Sequence, residues 1–276
     1  MGFGCNAAGV VGCRIIDSKR ERLIAMLTNA LVPCNGRFPT LIALISVFFV
    51  ASAGAAFSSA LILSAFILLS VLATLILSKI LSQTVLKGEP SAFTLELPPY
   101  RKPEFGKTIV RSVLDRTLFV LGRAIAVAAP AGLILWVLAN VPIQGTGLLQ
   151  IFSRAIDPIG RVFGMDGVIL LAFLLAIPAN EIVIPVMLMA YTGAGNLSDY
   201  ATLDQLKAIL VQNGWTWVTA LCAVIFMLFH FPCSTTLLTI KKESGGVRWA
   251  VLAAILPTLL GLSLCFLISM ASRWFL

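Results

Sequence analysis

From Leu41 to Ser78 the chain carries no charged side chain, and the same holds for Ala124–Ser153, Ala208–Ile240 and Trp249–Ser272. A helix crosses the hydrocarbon core of a bilayer with about 20 apolar residues. Each run is therefore long enough to cross. Leu41–Ser78 holds two spans if it breaks near Ala51–Ser59, where Ala, Ser and Gly cluster. Only 12% of the residues are charged, against roughly 25% in soluble domains, and mean hydropathy is +1.00. That leaves too little polar surface to cover a water-soluble globule. In lipid each backbone polar group must be satisfied within the protein, and a helix does so within one segment. The expected class is all-α, a polytopic transmembrane helical bundle.

The formal charge of +8 raises nucleic acid as a partner. The basic residues instead sit in short clusters between apolar runs, as cytoplasmic loops do, with no basic and aromatic groove pattern. Cys5, Cys13, Cys34, Cys222, Cys233 and Cys265 form no C-x-x-C pair, which removes zinc-ribbon and thioredoxin readings. The opening MGFGCNAAGVVGCR has no basic n-region of a signal peptide. Asn6 stands where myristoylation needs Ser or Thr. The chain begins inside a motif, as a fragment does.

Four regions follow along the chain: 1–82, a Gly/Asn/Cys motif, a short amphipathic helix and a span pair; 83–116, a cytoplasmic polar loop; 117–166, a span with Pro130 and an interfacial helix; 167–276, two interrupted apolar segments and a last span with Trp274 as an anchor. Loop charge tests this order. Four basic residues lie in Arg14–Arg22, six in Gln83–Arg116 and three in Lys241–Arg248, against two in Val141–Asp166 and one in Thr192–Gly214. If Gly167–Tyr191 crossed the membrane, the basic-rich Lys241–Arg248 would face outward. If it turns at Pro178-Ala179-Asn180-Glu181 and returns, every basic-rich loop is cytoplasmic. A re-entrant hairpin is expected there, and its irregular tip belongs inside protein or along a solute cavity.

The interruptions echo one another. Gly4-Cys5-Asn6 parallels Pro178-Ala179-Asn180, and Val32-Pro33-Cys34-Asn35 parallels Phe231-Pro232-Cys233-Ser234. Corresponding broken segments in two halves point to a transporter's binding site. Glu181, flanked by apolar residues, reads as a cation ligand or proton carrier, or else as a water-facing cap of a half-helix. Cys5, Cys34 and Cys233 each adjoin a helix breaker or a glycine turn. Thiolates suit Fe2+, Cu+ and Zn2+, and a broken helix frees carbonyls to assist, although membrane cysteines most often simply pack. His230, the only histidine, is a secondary ligand candidate or a hydrogen-bonded packing residue. Asn6 and Asn180 offer carbonyl oxygens or cap half-helices. No phosphate loop, H-E-x-x-H, G-x-S-x-G or dinucleotide fingerprint occurs, so no catalytic or cofactor-binding residues are assigned.

The motifs carry a family resemblance. Gly2-Phe3-Gly4-Cys5-Asn6, Arg20-Glu21-Arg22-Leu23 and Pro33-Cys34-x-x-Arg37-x-Pro39 resemble the first Gate motif of the ferrous-iron transporter FeoB. Phe93-x-x-Glu96-Leu97-Pro98-x-Tyr100-Arg101-x-Pro103 resembles the polar loop that follows. Asn180-Glu181-Ile182-Val183, Phe231-Pro232-Cys233-Ser234-Thr235-Thr236 and Lys241-Lys242-Glu243 are similar to the second Gate. The Gate regions also resemble nucleoside-recognition segments. The resemblance implies two Gate-type repeats and a multi-pass permease for Fe2+ in a bacterial inner membrane. Cys5, Cys34, Cys233 and Glu181 would replace water around the ion, with Asn6 and Asn180 at the tips and His230 nearby. It also implies a GTPase domain, absent from this chain and supplied in cis or in trans, on which alone GTP would bind. Homo-oligomerisation is left open. A transporter of a nucleoside or another divalent metal, and a non-transporting membrane fragment, are the other readings.

Overall fold

The computed structural model describes residues 2–50, 55–88, 104–111, 113–114, 118–143, 146–197 and 199–275. The motif from Phe93 to Pro103 lies outside the described residues. The elements run as helices α1 (Asn6–Gly12), α2 (Lys19–Thr28), α3 (Phe38–Phe48), α4 (Ala55–Gln83), α5 (Phe105–Arg111) and α6 (Phe119–Asn140). A two-residue antiparallel ladder follows, β1 (Pro142–Ile143) and β2 (Thr146–Gly147). Then come α7 (Leu148–Val162), α8 (Gly167–Leu175), α9 (Val183–Thr192), α10 (Leu203–Gln212), α11 (Trp217–Phe229), α12 (Ser234–Ser244) and α13 (Val247–Phe275). The chain is an all-α, multi-pass membrane protein with interrupted helices.

Among the described residues four stretches are long and apolar enough to cross a membrane: Lys19–Phe48, Phe57–Gln83, Trp217–Ser244 and Val247–Trp274. Two of them contain the breaks. Lys19–Phe48 joins α2 to α3 through Pro33–Arg37, and Trp217–Ser244 joins α11 to α12 through His230–Cys233. The span pair expected within Thr40–Ser82 is thereby redrawn. The eleven residues of α3 are too short to cross alone and complete a span begun at Lys19. Pro33 removes a backbone donor and disfavours helix at Val32, which is why the break falls there.

Burial sorts the spans. The hydropathic window of Trp217–Ser244 is 67% buried and that of Lys19–Phe48 is 56% buried, against 6% for Phe57–Gln83. The broken spans form the centre, while α4 turns Phe57, Leu61, Leu68, Leu72 and Leu75 outward, as a lipid-facing helix does. The core gathers α3, α8, α9 and α11 around Phe173, Met187, Phe226 and Phe229.

The segment after α7 folds back on itself. Gly164, at φ +73°, makes a turn that L side chains resist, and α7 meets α8 at 109°. A Cβ on Gly167 would lie 1.9 Å from the Ser153 carbonyl oxygen, so only glycine permits this approach. The nine residues of α8 and ten of α9 span about 13–15 Å each, half a bilayer core. Their outer ends are joined: Tyr191 at the end of α9 donates to Asp166, the N-cap of α8. Trp215 Nε1 donates to the Tyr191 hydroxyl at 2.8 Å. The expected hairpin is present, with both ends together and Pro178–Glu181 at its tip. Thr192–Gly214, the loop with a single basic residue, contains α10, capped by Thr202 and held by buried Leu206 and Leu210.

Candidate functional site

Four irregular segments converge: the first tip (Gly2–Asn6), the first break (Val32–Arg37), the hairpin tip (Ile177–Ile182) and the second break (His230–Ser234). Each break is pinned to the tip of its own half by an equivalent bond. Asn35 N donates to Gly4 O at 3.2 Å, and Ser234 N donates to Ile177 O at 2.9 Å. Between the halves, α1 packs on α12, and the turn at Asn35–Arg37 packs on the turn at Asn180–Ile182. The first tip thus meets the second break's helix, and the second tip meets the first break. The segments that echo one another in sequence thus pair reciprocally across the two halves.

Asn180, 4% exposed, lies between the halves. Its amide nitrogen is 3.9 Å from Cys34 Sγ, and its Oδ1 is 3.2 Å from His230 Nε2. The other imidazole nitrogen, Nδ1, faces the carbonyls of Phe226 (3.2 Å) and Met227 (3.0 Å). Carbonyls only accept, so Nδ1 carries the proton and Nε2 accepts. With the amide turned, its NH2 can donate to Nε2 while its oxygen faces Cys34 Sγ at the other end of the side chain. His230 is 1% exposed and packs among Phe173, Phe226 and Phe231. Its Nε2 faces the Asn180 side chain, so it helps hold Asn180 in place.

Asn6 is the counterpart in the first half. With its amide nitrogen turned toward them, it donates to the carbonyls of Gly2 (3.0 Å) and Val32 (3.2 Å). Asn29 Nδ2 donates to Asn6 O at 2.8 Å. A Cβ on Gly9 would stand 2.6 Å from Asn29 Oδ1, so this glycine keeps Asn29 in reach.

Cys34 and Cys233 are half-buried and Cys5 is exposed. Cys233 Sγ lies 3.2 Å from Thr236 Oγ1. Glu181 is exposed at the hairpin tip, and a Cβ placed on Gly36 would be 3.2 Å from its Oε1. The structure therefore brings Cys34, Asn180, His230 and Glu181 to one junction, with Cys233 on the adjoining break and Cys5 at the first tip. Among the described residues no three His, Cys, Asp or Glu side chains are close enough to hold a metal ion together.

Sequence reasoning left Arg37 without a role. It is fully buried, and its Nη1 donates to Ala30 O (3.1 Å) and Leu228 O (2.8 Å). Nη2 donates to His230 O (3.2 Å) and Phe231 O (3.3 Å). The carbonyls freed by the second break, expected to assist an ion, are thus taken by Arg37 and His230. The signal was present, because Arg37 is the one charged residue between Arg22 and Lys79.

The family described as "Nucleoside recognition" matches residues 121–247, and "Ferrous iron transport protein B C terminus" matches residues 63–116. A "Fe(2+) transport protein A/Fe(2+) transporter FeoB fusion protein" of Porphyromonas gingivalis is 27% identical over 97% of this chain and 36% of its own length. Proteins named "Fe(2+) transporter FeoB" are similar at 27% in Staphylococcus aureus, over 97% of this chain and 39% of theirs, and in Methanocaldococcus jannaschii, over 98% and 40%. The chain spans well under half the length of these relatives. No solved structure matches.

Proposed function

Because the chain belongs to the ferrous-iron transporter B family, we propose that it is the membrane permease portion of a ferrous-iron uptake system. The ion passes where the first break faces the hairpin tip. The observation that carries this reading is the meeting of Cys34 with Asn180 at 3.9 Å, beside Glu181 at Gly36. A soft sulfur donor and a hard carboxylate flank one junction at the end of half-length helices. Borderline Fe2+ accepts both donor types.

Cys34, Cys233 and Glu181 contact the ion in turn, with Cys5 at the first tip. Asn6, Asn180 and His230 hold the segments that present them. Staged, weak ligation lets a cation enter and leave, which a closed cage of four ligands would prevent. That fits a junction where no three ligands cluster. The energy comes from a GTPase domain in cis or in trans, as the resemblance implies, and the membrane is the bacterial inner membrane, with Lys241 and Lys242 cytoplasmic.

The reading is tested by anoxic alkylation of the intact chain in lipid vesicles. Fe2+ is expected to slow labelling of Cys34 and Cys233 while leaving Cys13 unaffected. Protection by Zn2+ but not Fe2+ moves the assignment to another divalent metal. Protection by a nucleoside alone favours nucleoside transport.

A further inference from the structure

Arg37 presents an unusual balance of charge. Its guanidinium is fully buried within a membrane span and meets no carboxylate at ion-pair distance among the described residues. Stripping a cation of water costs several kcal/mol unless other dipoles replace it. Four carbonyl oxygens do so here: Ala30 from the first half, and Leu228, His230 and Phe231 from the second. The last three lie at the C-terminal end of α11, where the helix dipole is negative and carbonyls lack intrahelical partners. Two carbonyls on each Nη nitrogen together form a ring of oxygens around a cation. Arg37 Nε remains without a hydrogen-bond partner among the described residues, so the cradle does not saturate the side chain it holds.

We propose that Arg37 is a tethered cation: its guanidinium fills an oxygen cradle built by both halves, clasps them together, and leaves when the transported cation arrives. This rests on the transport reading above. The clasp follows from connectivity. Removing the guanidinium severs bonds that run from the first break to the second, and so lets Cys34 and Cys233 separate. An arriving dication repels Arg37 and competes for the same oxygens, so loading the pathway and releasing the clasp are one event. Between events the cradle is occupied and the junction stays shut to other cations.

The test is passive cation leak through the intact chain in vesicles, read by a trapped metal-sensitive dye for Mn2+ and by an electrode for K+. Arg37→Ala is expected to raise leak roughly tenfold, the change expected from losing one net hydrogen bond of closure. Millimolar guanidinium, refilling the cradle, is expected to restore tightness. A folded Arg37→Ala chain that stays tight, or a leak that guanidinium leaves unchanged, overturns the proposal. If the alanine variant does not fold, Arg37→Lys decides. It keeps the charge but loses the fork, so raised leak is expected, and leak equal to the unsubstituted chain is contrary. A guanidinium-sensitive leak that passes K+ and excludes divalent ions leaves the clasp standing and removes the ferrous-iron reading. A tight Arg37→Ala chain with iron-protected cysteines does the reverse.

Discussion

His230 Nε2 meets the side-chain amide of Asn180 at 3.2 Å, joining the end of α11 to the tip of the α8–α9 hairpin. Fifty residues separate the two in sequence, and each lies beside a break. His230→Phe keeps an aromatic ring among Phe173, Phe226 and Phe231 but leaves the Asn180 amide and two carbonyls unsatisfied. A loss of about 1–3 kcal/mol of stability is expected, measured by thermal unfolding in detergent. His230→Phe as stable as the unsubstituted chain would contradict the positioning role.

Gly36 and Glu181 are spaced so closely that one methyl group separates function from disturbance. Gly36→Ala places a Cβ 3.2 Å from Glu181 Cγ and Oε1, whereas Gly106→Ala meets nothing within 4 Å. Ion flux should fall several-fold in the first variant and hold in the second. Glu181→Asp, one methylene shorter, should recover part of the loss in Gly36→Ala.

Tyr191→Phe removes both the bond to Asp166 and the acceptor of Trp215, freeing the base of the hairpin. The expected cost is about 1–2 kcal/mol, with faster hydrogen exchange in α8 and α9 than in α11. Equal exchange in all three helices would show that the base needs no such bond.

Arg14 grips Glu243 through two bonds, at 2.6 and 2.7 Å, tying the chain after α1 to the end of α12. The arginine is 60% exposed, so solvent screening limits the pair to about 1 kcal/mol or less. A double-mutant cycle with Arg14→Ala and Glu243→Gln measures the coupling. A value well above that would mean that the two groups are coupled through a buried network.

The helical membrane class, the later spans at Trp217–Ser244 and Val247–Trp274 and the hairpin were legible because each obeys a rule of lipid: uncharged length, loop charge, and irregular backbone confined to the interior. The hairpin at Pro178–Glu181 followed from counting basic residues alone. The extent of the first broken span was not legible. Lys19, Arg20, Glu21 and Arg22 made α2 look like a surface helix, although its other face, with Met26 and Leu27, is buried. The partner of the carbonyls at the second break was also not legible. Periodicity shows where a helix ends but not which distant side chain takes its last acceptors, and Arg37 acts across 191 residues. His230 was held between ligand and packing residue, and only the geometry of its two nitrogens separates those roles.

The most direct test of the account is anoxic uptake of radiolabelled ferrous iron into vesicles carrying the whole chain with a relative's GTPase domain. Uptake is expected for the unsubstituted chain, to be lost in Cys34→Ser and Cys233→Ser, and to persist in Cys222→Ala, whose thiol is buried between α11 and α13. Undiminished ferrous-iron uptake in the Cys34→Ser/Cys233→Ser double variant would contradict it.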